Sequence, residues 1–201
     1  MTVEGDRMFR RQSKPRTPPA AVAGDGAAAY RGLRAQVLDL DPASGGLAQG
    51  PEHPLAWGAL MDIGFASGTA TPVTLADGTT SLYTSTGGGI TGGGSHPAIT
   101  AATRAFLACV ADHLHELPPE TGTGLPAQGR VIIRALTYQG QRAAEASEDD
   151  PGYNRHALSP VFHAAHEMIT QLRLLDEART GTARDLRQPP SGNPPAGEIR
   201  T

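Results

Sequence analysis

The residues that most resemble a chemical site are six glycines within residues 87–94, GGGITGGG, followed directly by Ser95 and His96. The run contains the pattern G-x-G-x-x-G, which in dinucleotide-binding folds joins a strand to a helix and offers backbone N–H groups to a phosphate. A β-rich run precedes these glycines, and an apolar helical pattern follows them. The residues that would form such an anion-binding loop are Gly87, Gly88, Gly89, Gly92, Gly93, Gly94 and Ser95.

Two features of the same stretch favour a structural role for the glycines. No lysine lies nearby to reach the outer phosphates of a nucleotide, and the preceding strand is predicted to pair in a hairpin. Glycine also permits positive φ angles and a close approach of a helix to a strand. We therefore expect a structural loop that also contacts a protein partner. The alternative is a nucleotide- or phosphate-binding protein, or a small enzyme, that uses this loop with Ser95 and His96.

The other polar clusters do not form a catalytic or metal-binding pattern. His163, His166 and Glu167 spell H-x-x-H-E, which differs in order and spacing from the zinc-protease motif H-E-x-x-H. Cys109 falls in an apolar helical stripe, where a thiolate is disfavoured. The acidic residues within 145–150 lack the alternating spacing of a calcium-binding loop. From these patterns we assign no catalytic residue, no metal ligand and no cofactor.

Composition divides the chain into one domain and two tails. Glycine (25) and proline (17) are frequent among the 201 residues, and only 38% of residues are hydrophobic. Residues 1–29 and 179–201 are rich in Gly, Pro, Ala and charged residues without apolar periodicity, which predicts a disordered N-terminal arm and a disordered C-terminal tail. The remaining residues, 30–178, predict a single globular domain.

The charge of the central part argues against nucleic acid as the main partner. Residues 55–178 contain six arginines and twelve acidic residues, a net charge of −6, which would repel a phosphate backbone. The first sixteen residues are basic, and we interpret them as a solvated arm. No apolar run is as long as a membrane span or has the form of a signal peptide, so we expect a cytoplasmic protein.

Local patterns predict three helices and two pairs of strands. Pro54 stands where a first helical residue belongs and predicts a helix over PLAWGALMDIGFAS. The pair Asp77-Gly78 lies between two β-rich runs and predicts a hairpin. Apolar residues at steps of three or four predict further helices that begin near Ser95 and near Ser159. Between these helices, RVIIRALTY and QRAAEASE predict the second pair of strands.

The predicted order is helix–strand–strand–helix–strand–strand–helix, preceded by a short amphipathic element at residues 30–40. It indicates an α/β fold in the form of an α+β sandwich, in which one mostly antiparallel sheet is covered by helices. The apolar residues of the first predicted helix exceed what one buried stripe needs, so we expect them to form a homodimer interface. The alternative is that they form a local core with the tail of the chain. These residues are Trp57, Leu60, Met61 and Phe65.

Over roughly residues 55–175, this order of elements resembles the Roadblock/LC7 (profilin-like) fold. The stretches ADGTTSLYTSTGGGITGGG, VLDLDPASGGL and ALTYQG also resemble a group of uncharacterised actinobacterial proteins, a resemblance that implies no activity. The Roadblock resemblance implies a non-enzymatic, dimeric protein with a partner such as a small GTPase. We therefore expect a non-enzymatic protein-interaction or regulatory module.

Overall fold

Helices pack on both faces of a six-stranded sheet in the computed structural model of the protein, which describes residues 26–185. The predicted arm up to residue 25 and the predicted tail beyond residue 185 lie outside the described residues. The helices and strands, in chain order, are α1 (Gly26–Leu38), β1 (Ala56–Phe65), β2 (Gly68–Leu75), β3 (Thr80–Thr84), β4 (Gly89–Ile90), α2 (Pro97–Asp112), β5 (Arg130–Thr137), β6 (Gly140–Ser147), α3 (Asp149–Gly152) and α4 (Ser159–Asp185).

The sheet is antiparallel throughout and has the strand order β4-β3-β2-β1-β5-β6. The predicted α+β class, with helices packed on an antiparallel sheet, is confirmed. The hairpin at Asp77-Gly78 is confirmed as well, since β2 pairs with β3 on either side of it. Gly78 adopts a φ of +87°, and the Asp77 carboxylate accepts the N–H of Thr79 at 2.8 Å. Both features are typical of a tight turn.

The predicted helix over residues 54–67 is wrong, because this segment forms β1 in the centre of the sheet. Strand β1 pairs with β2 on one side and with β5 on the other. Nine of its ten residues are buried. A strand that is buried on both faces has a continuous apolar sequence without alternation, and a short run of this kind does not distinguish strand from helix.

The same correction applies to the predicted homodimer interface. Trp57, Leu60 and Met61 are 4%, 0% and 0% exposed, whereas Phe65, the last residue of β1, is 47% exposed. Met61 packs toward one face of the sheet, while Trp57 and Leu60 pack toward the other. These four residues therefore form no common exposed surface on one protomer.

Helices α2 and α4 cover one face of the sheet and form the larger core with it. The apolar stripes predicted for both helices are confirmed by their burial. The residues concerned are Ile99, Ala102, Phe106 and Val110 of α2, and Val161, Ala165, Met168 and Leu172 of α4.

Helix α1 and the connection that follows it cover the second face. Leu38 and Leu47 pack there in a smaller cluster with Trp57 and Leu60, and the Trp57 indole N–H donates to the carbonyl of Thr137 at 3.2 Å. Helix α1 begins at residue 26, four residues before the predicted domain start, and α4 continues seven residues beyond the predicted domain end at 178. No helix of the described residues is both long and apolar enough to cross a membrane.

Candidate functional site

The most extensive buried polar cluster lies between α1 and the second face of the sheet. The Asp62 carboxylate of β1 accepts two hydrogen bonds from Arg34 of α1, at 2.9 and 2.6 Å, and a longer one from Arg134 of β5 at 3.4 Å. The Thr71 hydroxyl donates to the same carboxylate at 2.7 Å and bonds the Tyr30 hydroxyl at 2.8 Å. Asp62 has no exposed surface. Every oxygen of this carboxylate is therefore occupied by protein donors.

The two arginines of this cluster also hold the connection between α2 and β5. Arg34 donates to the carbonyls of Thr123 and Gly124 at 2.8 and 3.2 Å. Arg134 donates to the carbonyls of Gly122 and Gly124 at 2.7 and 3.0 Å. Buried charges of this kind need such partners, because an unpaired one costs several kcal/mol. The cluster is saturated and closed to solvent, so we assign it a structural role.

The glycines of residues 87–94 have different structural roles, which depend on the local backbone conformation and on close contacts. Gly87 has a φ of +92°, and its N–H donates to the Thr84 carbonyl at 3.1 Å in the turn that leads from β3 into β4. A side chain at Gly93 would collide with Leu172 of α4, and one at Gly94 would collide with the Gly78 carbonyl. These contacts support the structural role that the sequence favours for the run.

Only part of the predicted anion-binding loop lines a common cleft. Gly92, Gly94 and Ser95 border a cavity of about 350 Å³. The opposite wall is the β2–β3 turn with the carboxylate-bearing Asp77, whose negative charge disfavours a phosphate. His96, the residue at the N-cap position of α2, makes no side-chain capping hydrogen bond. Gly87, Gly88 and Gly89 lie outside this cavity.

Four separate cavities that share lining residues follow one another along α2 and past its two ends, and we call this row of cavities the α2 groove. From the C-terminal end of α2 to its N-terminal end they measure about 260, 420, 220 and 350 Å³. Leu55 lines the first and second cavities, Arg104 the second and third, and Asp77 the third and fourth. The wall opposite α2 consists of the segment before β1 and the turns β2–β3 and β5–β6, which all lie at one end of the sheet.

The cavity in the middle of the α2 groove has an apolar part. The walls of the 420 Å³ cavity include Pro54 and Leu55 on one side and Leu107, Ala108 and Ala111 of α2 on the other. Leu55 is 52% exposed, whereas Leu107 of α2, which lines the same cavity, is buried. A concave apolar surface with an exposed leucine at its edge is typical of a site that receives an apolar side chain.

Charged groups surround this apolar centre. Arg104, His53 and Glu52 line both the 420 Å³ and the 220 Å³ cavities. Within residues 26–185, the Arg104 guanidinium has no hydrogen bond or ion pair. At the C-terminal end, His115 and Arg142 line the 260 Å³ cavity, which no carboxylate borders.

The histidine and cysteine patterns do not converge on this groove. His163 bonds the Asn154 side chain at 3.0 Å, while His166 is half-buried against Phe162, with 4.3 Å between ring centroids. Burial lowers the pKa of His166, and the neighbouring His163 lowers it further. Burial raises the pKa of the Cys109 thiol. Over the described part of the chain, no group of three or more His, Cys, Asp or Glu residues is placed to hold a metal ion.

No protein-family model, curated protein or solved structure matches this chain. The resemblances that the sequence suggests therefore stay predictions. The α2 groove was not predicted from the sequence. Arg104 and Leu107 stand on a predicted helix, but only the fold brings them opposite residues 52–55.

Proposed function

We propose that the protein is a non-enzymatic protein-interaction module that binds an extended segment of a partner protein in the α2 groove. The single observation that carries this proposal is the row of four cavities with shared lining residues, which includes the exposed Leu55 near its middle. Grooves of this form accept peptide segments whose side chains enter successive pockets.

The length of the α2 groove fits a short peptide. It follows the 16 residues of α2, which span roughly 24 Å, and continues past both ends of the helix. An extended chain covers the length of α2 with about seven residues. Burying one large apolar side chain against Leu55, Leu107 and Ala108 contributes about 1.5–3 kcal/mol.

Binding of a nucleotide or phosphate at residues 87–94 has less support. Asp77 places a carboxylate opposite Gly92 and Ser95, and Gly87 already donates its N–H within the chain. A small GTPase as partner rests on the Roadblock resemblance alone. A homodimer would bury other surfaces than Trp57, Leu60 and Met61, which the chain itself covers.

Site-specific photo-crosslinking in the native host tests this proposal. The photoreactive amino acid benzoylphenylalanine replaces Ala111 in the groove or, as the matched control, Arg173 on the exposed face of α4. We expect a defined adduct from position 111 that Ala108→Arg abolishes, and none from position 173. Absence of an adduct at 111, or an adduct at 111 that persists with Ala108→Arg, would contradict binding in the groove.

A further inference from the structure

Helix α1 leaves an apolar cavity where its first two turns pass strands β3 and β4. This cavity, which we call the α1 cavity, measures about 220 Å³ and is lined by Ala29 and Leu33 of α1 and by Tyr83 of β3. Ala29 and Leu33 lie one helical turn apart, and Leu33 is 40% exposed. The lining residues, all within the described range, include no charged one. A cavity of this composition accepts an apolar side chain.

The chain enters the fold beside this cavity. Gly26, the first residue of α1, lines the cavity and packs against the turn between β3 and β4. A Cβ atom at Gly26 would lie 2.6 Å from the Cα atom of Gly87. Residues 1–25, which we call the N-terminal segment, are therefore joined to the domain at the α1 cavity itself.

We infer that the N-terminal segment folds back onto the domain and places the side chain of Phe9 in the α1 cavity. Phe9 is the only aromatic residue among residues 1–25. The cavity exceeds the roughly 150 Å³ in which an apolar protein cavity binds benzene, the ring that phenylalanine carries. The inference is independent of the proposed function, because the α1 cavity and the α2 groove share no lining residue.

The connection between Phe9 and the domain is long enough for this contact. Residues 10–25 connect Phe9 to Gly26, and an extended chain of this length covers roughly 50 Å. Along α1 the cavity extends from Gly26 to Leu33, which is roughly 10 Å at the rise of a helix. Because the segment is tethered, its local concentration at the cavity exceeds that of a free partner in dilute solution. One large apolar side chain is then sufficient as an anchor, and the segment needs no helix or strand.

Photo-crosslinking of the purified full chain tests the inference. Benzoylphenylalanine replaces Phe9 or, as the matched control in the same segment, Gln12. We expect adducts within one chain that join position 9 to residues 26–33 or 83–91, and none that join position 12 to these residues. Absence of the adducts from position 9, or equal yields from the two positions, would overturn the inference.

Two variants of the cavity wall show whether the contact depends on the cavity. In the chain with the probe at position 9, Ala29→Glu should lower the yield about tenfold, because it places a charge where an aromatic ring binds. The matched control is Ala28→Glu, at an exposed neighbouring alanine that does not line the cavity, and it should leave the yield unchanged. A yield that Ala29→Glu leaves unchanged would overturn the inference. So would adducts that join only two copies of the chain, because the cavity would then receive the segment of a second copy.

Nuclear magnetic resonance tests the same contact with the natural side chain. We expect Phe9→Ala to shift the amide signals of Ala29, Leu33 and Gly89, which line the cavity. Val3→Ala, a control in the same segment, should leave these signals in place. Unchanged signals in Phe9→Ala would contradict the docking of Phe9.

Discussion

Arg34 of α1 and Asp62 of β1 form a buried, two-bonded ion pair, with nitrogen–oxygen distances of 2.9 and 2.6 Å. The two residues are 28 positions apart in the sequence. Few apolar side chains of α1 are buried, so this pair supplies much of the specificity with which α1 docks on the sheet. Through Arg134, the same carboxylate also fixes the connection that leads into β5.

Replacing Arg34 should destabilise the whole domain. Arg34→Ala leaves the Asp62 carboxylate with a single, long arginine contact in a site closed to solvent, so we expect the free energy of unfolding to fall by about 3 kcal/mol. The measurement is urea-induced unfolding followed by circular dichroism. The matched control is Arg130→Ala, which breaks the exposed pair with Glu145 and should cost less than about 1 kcal/mol. Equal losses in the two variants would refute the structural role of the cluster.

Trp57→Ala should lower stability within a single protomer. The indole is 4% exposed and donates to the Thr137 carbonyl, so its removal leaves a cavity and an unpaired group. We expect a loss of about 3–5 kcal/mol in the free energy of unfolding. Light scattering accompanies the unfolding measurement, because it also tests the predicted homodimer. If Trp57→Ala keeps the stability of the wild type but changes the oligomeric mass, Trp57 lies in an interface between protomers instead.

Within the glycine run, Gly94→Ala should be a costly substitution. A Cβ at this position collides with the Gly78 carbonyl, which is backbone of the β2–β3 turn and cannot rotate away. We expect a loss of at least about 1 kcal/mol, measured by thermal unfolding. Gly181→Ala in α4 meets open space and should stabilise the protein slightly, since alanine favours a helix. If Gly94→Ala leaves the melting temperature unchanged, the contact between Gly94 and the β2–β3 turn does not require a glycine at this position.

Protonation of His166 should destabilise the protein below neutral pH. Burial lowers its pKa below the ordinary value of 6.5, so between that value and the lower folded-state pKa the unfolded chain binds more protons. The stability that neutral His166 supports is thus complete above pH 6.5 and declines as the pH falls.

The test compares the free energy of unfolding at pH 7.5 and pH 5.5. His166→Leu should show a smaller loss between these values than the wild type, while His96→Gln, a substitution at an exposed histidine, should show the wild-type loss. An identical loss in wild type and His166→Leu would assign the pH dependence to other groups.

Elements that are buried on one face only were predicted correctly, because their apolar residues recur with the period of the element. Helix α2 was predicted because Ile99 and Phe106 recur at helical spacing on its one buried face, with Pro97 at the start. The hairpin at Asp77-Gly78 was predicted because its turn chemistry is local. Strand β1 was missed because burial on both faces removes the alternation that identifies a strand.

The groove and the buried cluster were not predictable by the same means. Arg34 and Asp62 are separated by 28 residues, and Asp62 and Arg134 by 72, so no local pattern connects them. Likewise, Arg104 becomes part of a groove only because the strand ends at one side of the sheet meet α2. Such relationships depend on the strand order, which the individual elements do not determine.

Nuclear magnetic resonance of the full chain tests the central claim most directly. The ¹⁵N-labelled protein is titrated with the nine-residue peptide that binds the wild type most strongly in a selection from a random phage-displayed library, and amide chemical shifts are followed. We predict that the largest shifts lie on both walls of the α2 groove, in residues 49–56, 75–80 and 100–115, with the exposed face of α4 unchanged. Largest shifts on the exposed face of α4, with the groove walls unaffected, would contradict the proposal that the protein binds its partner there.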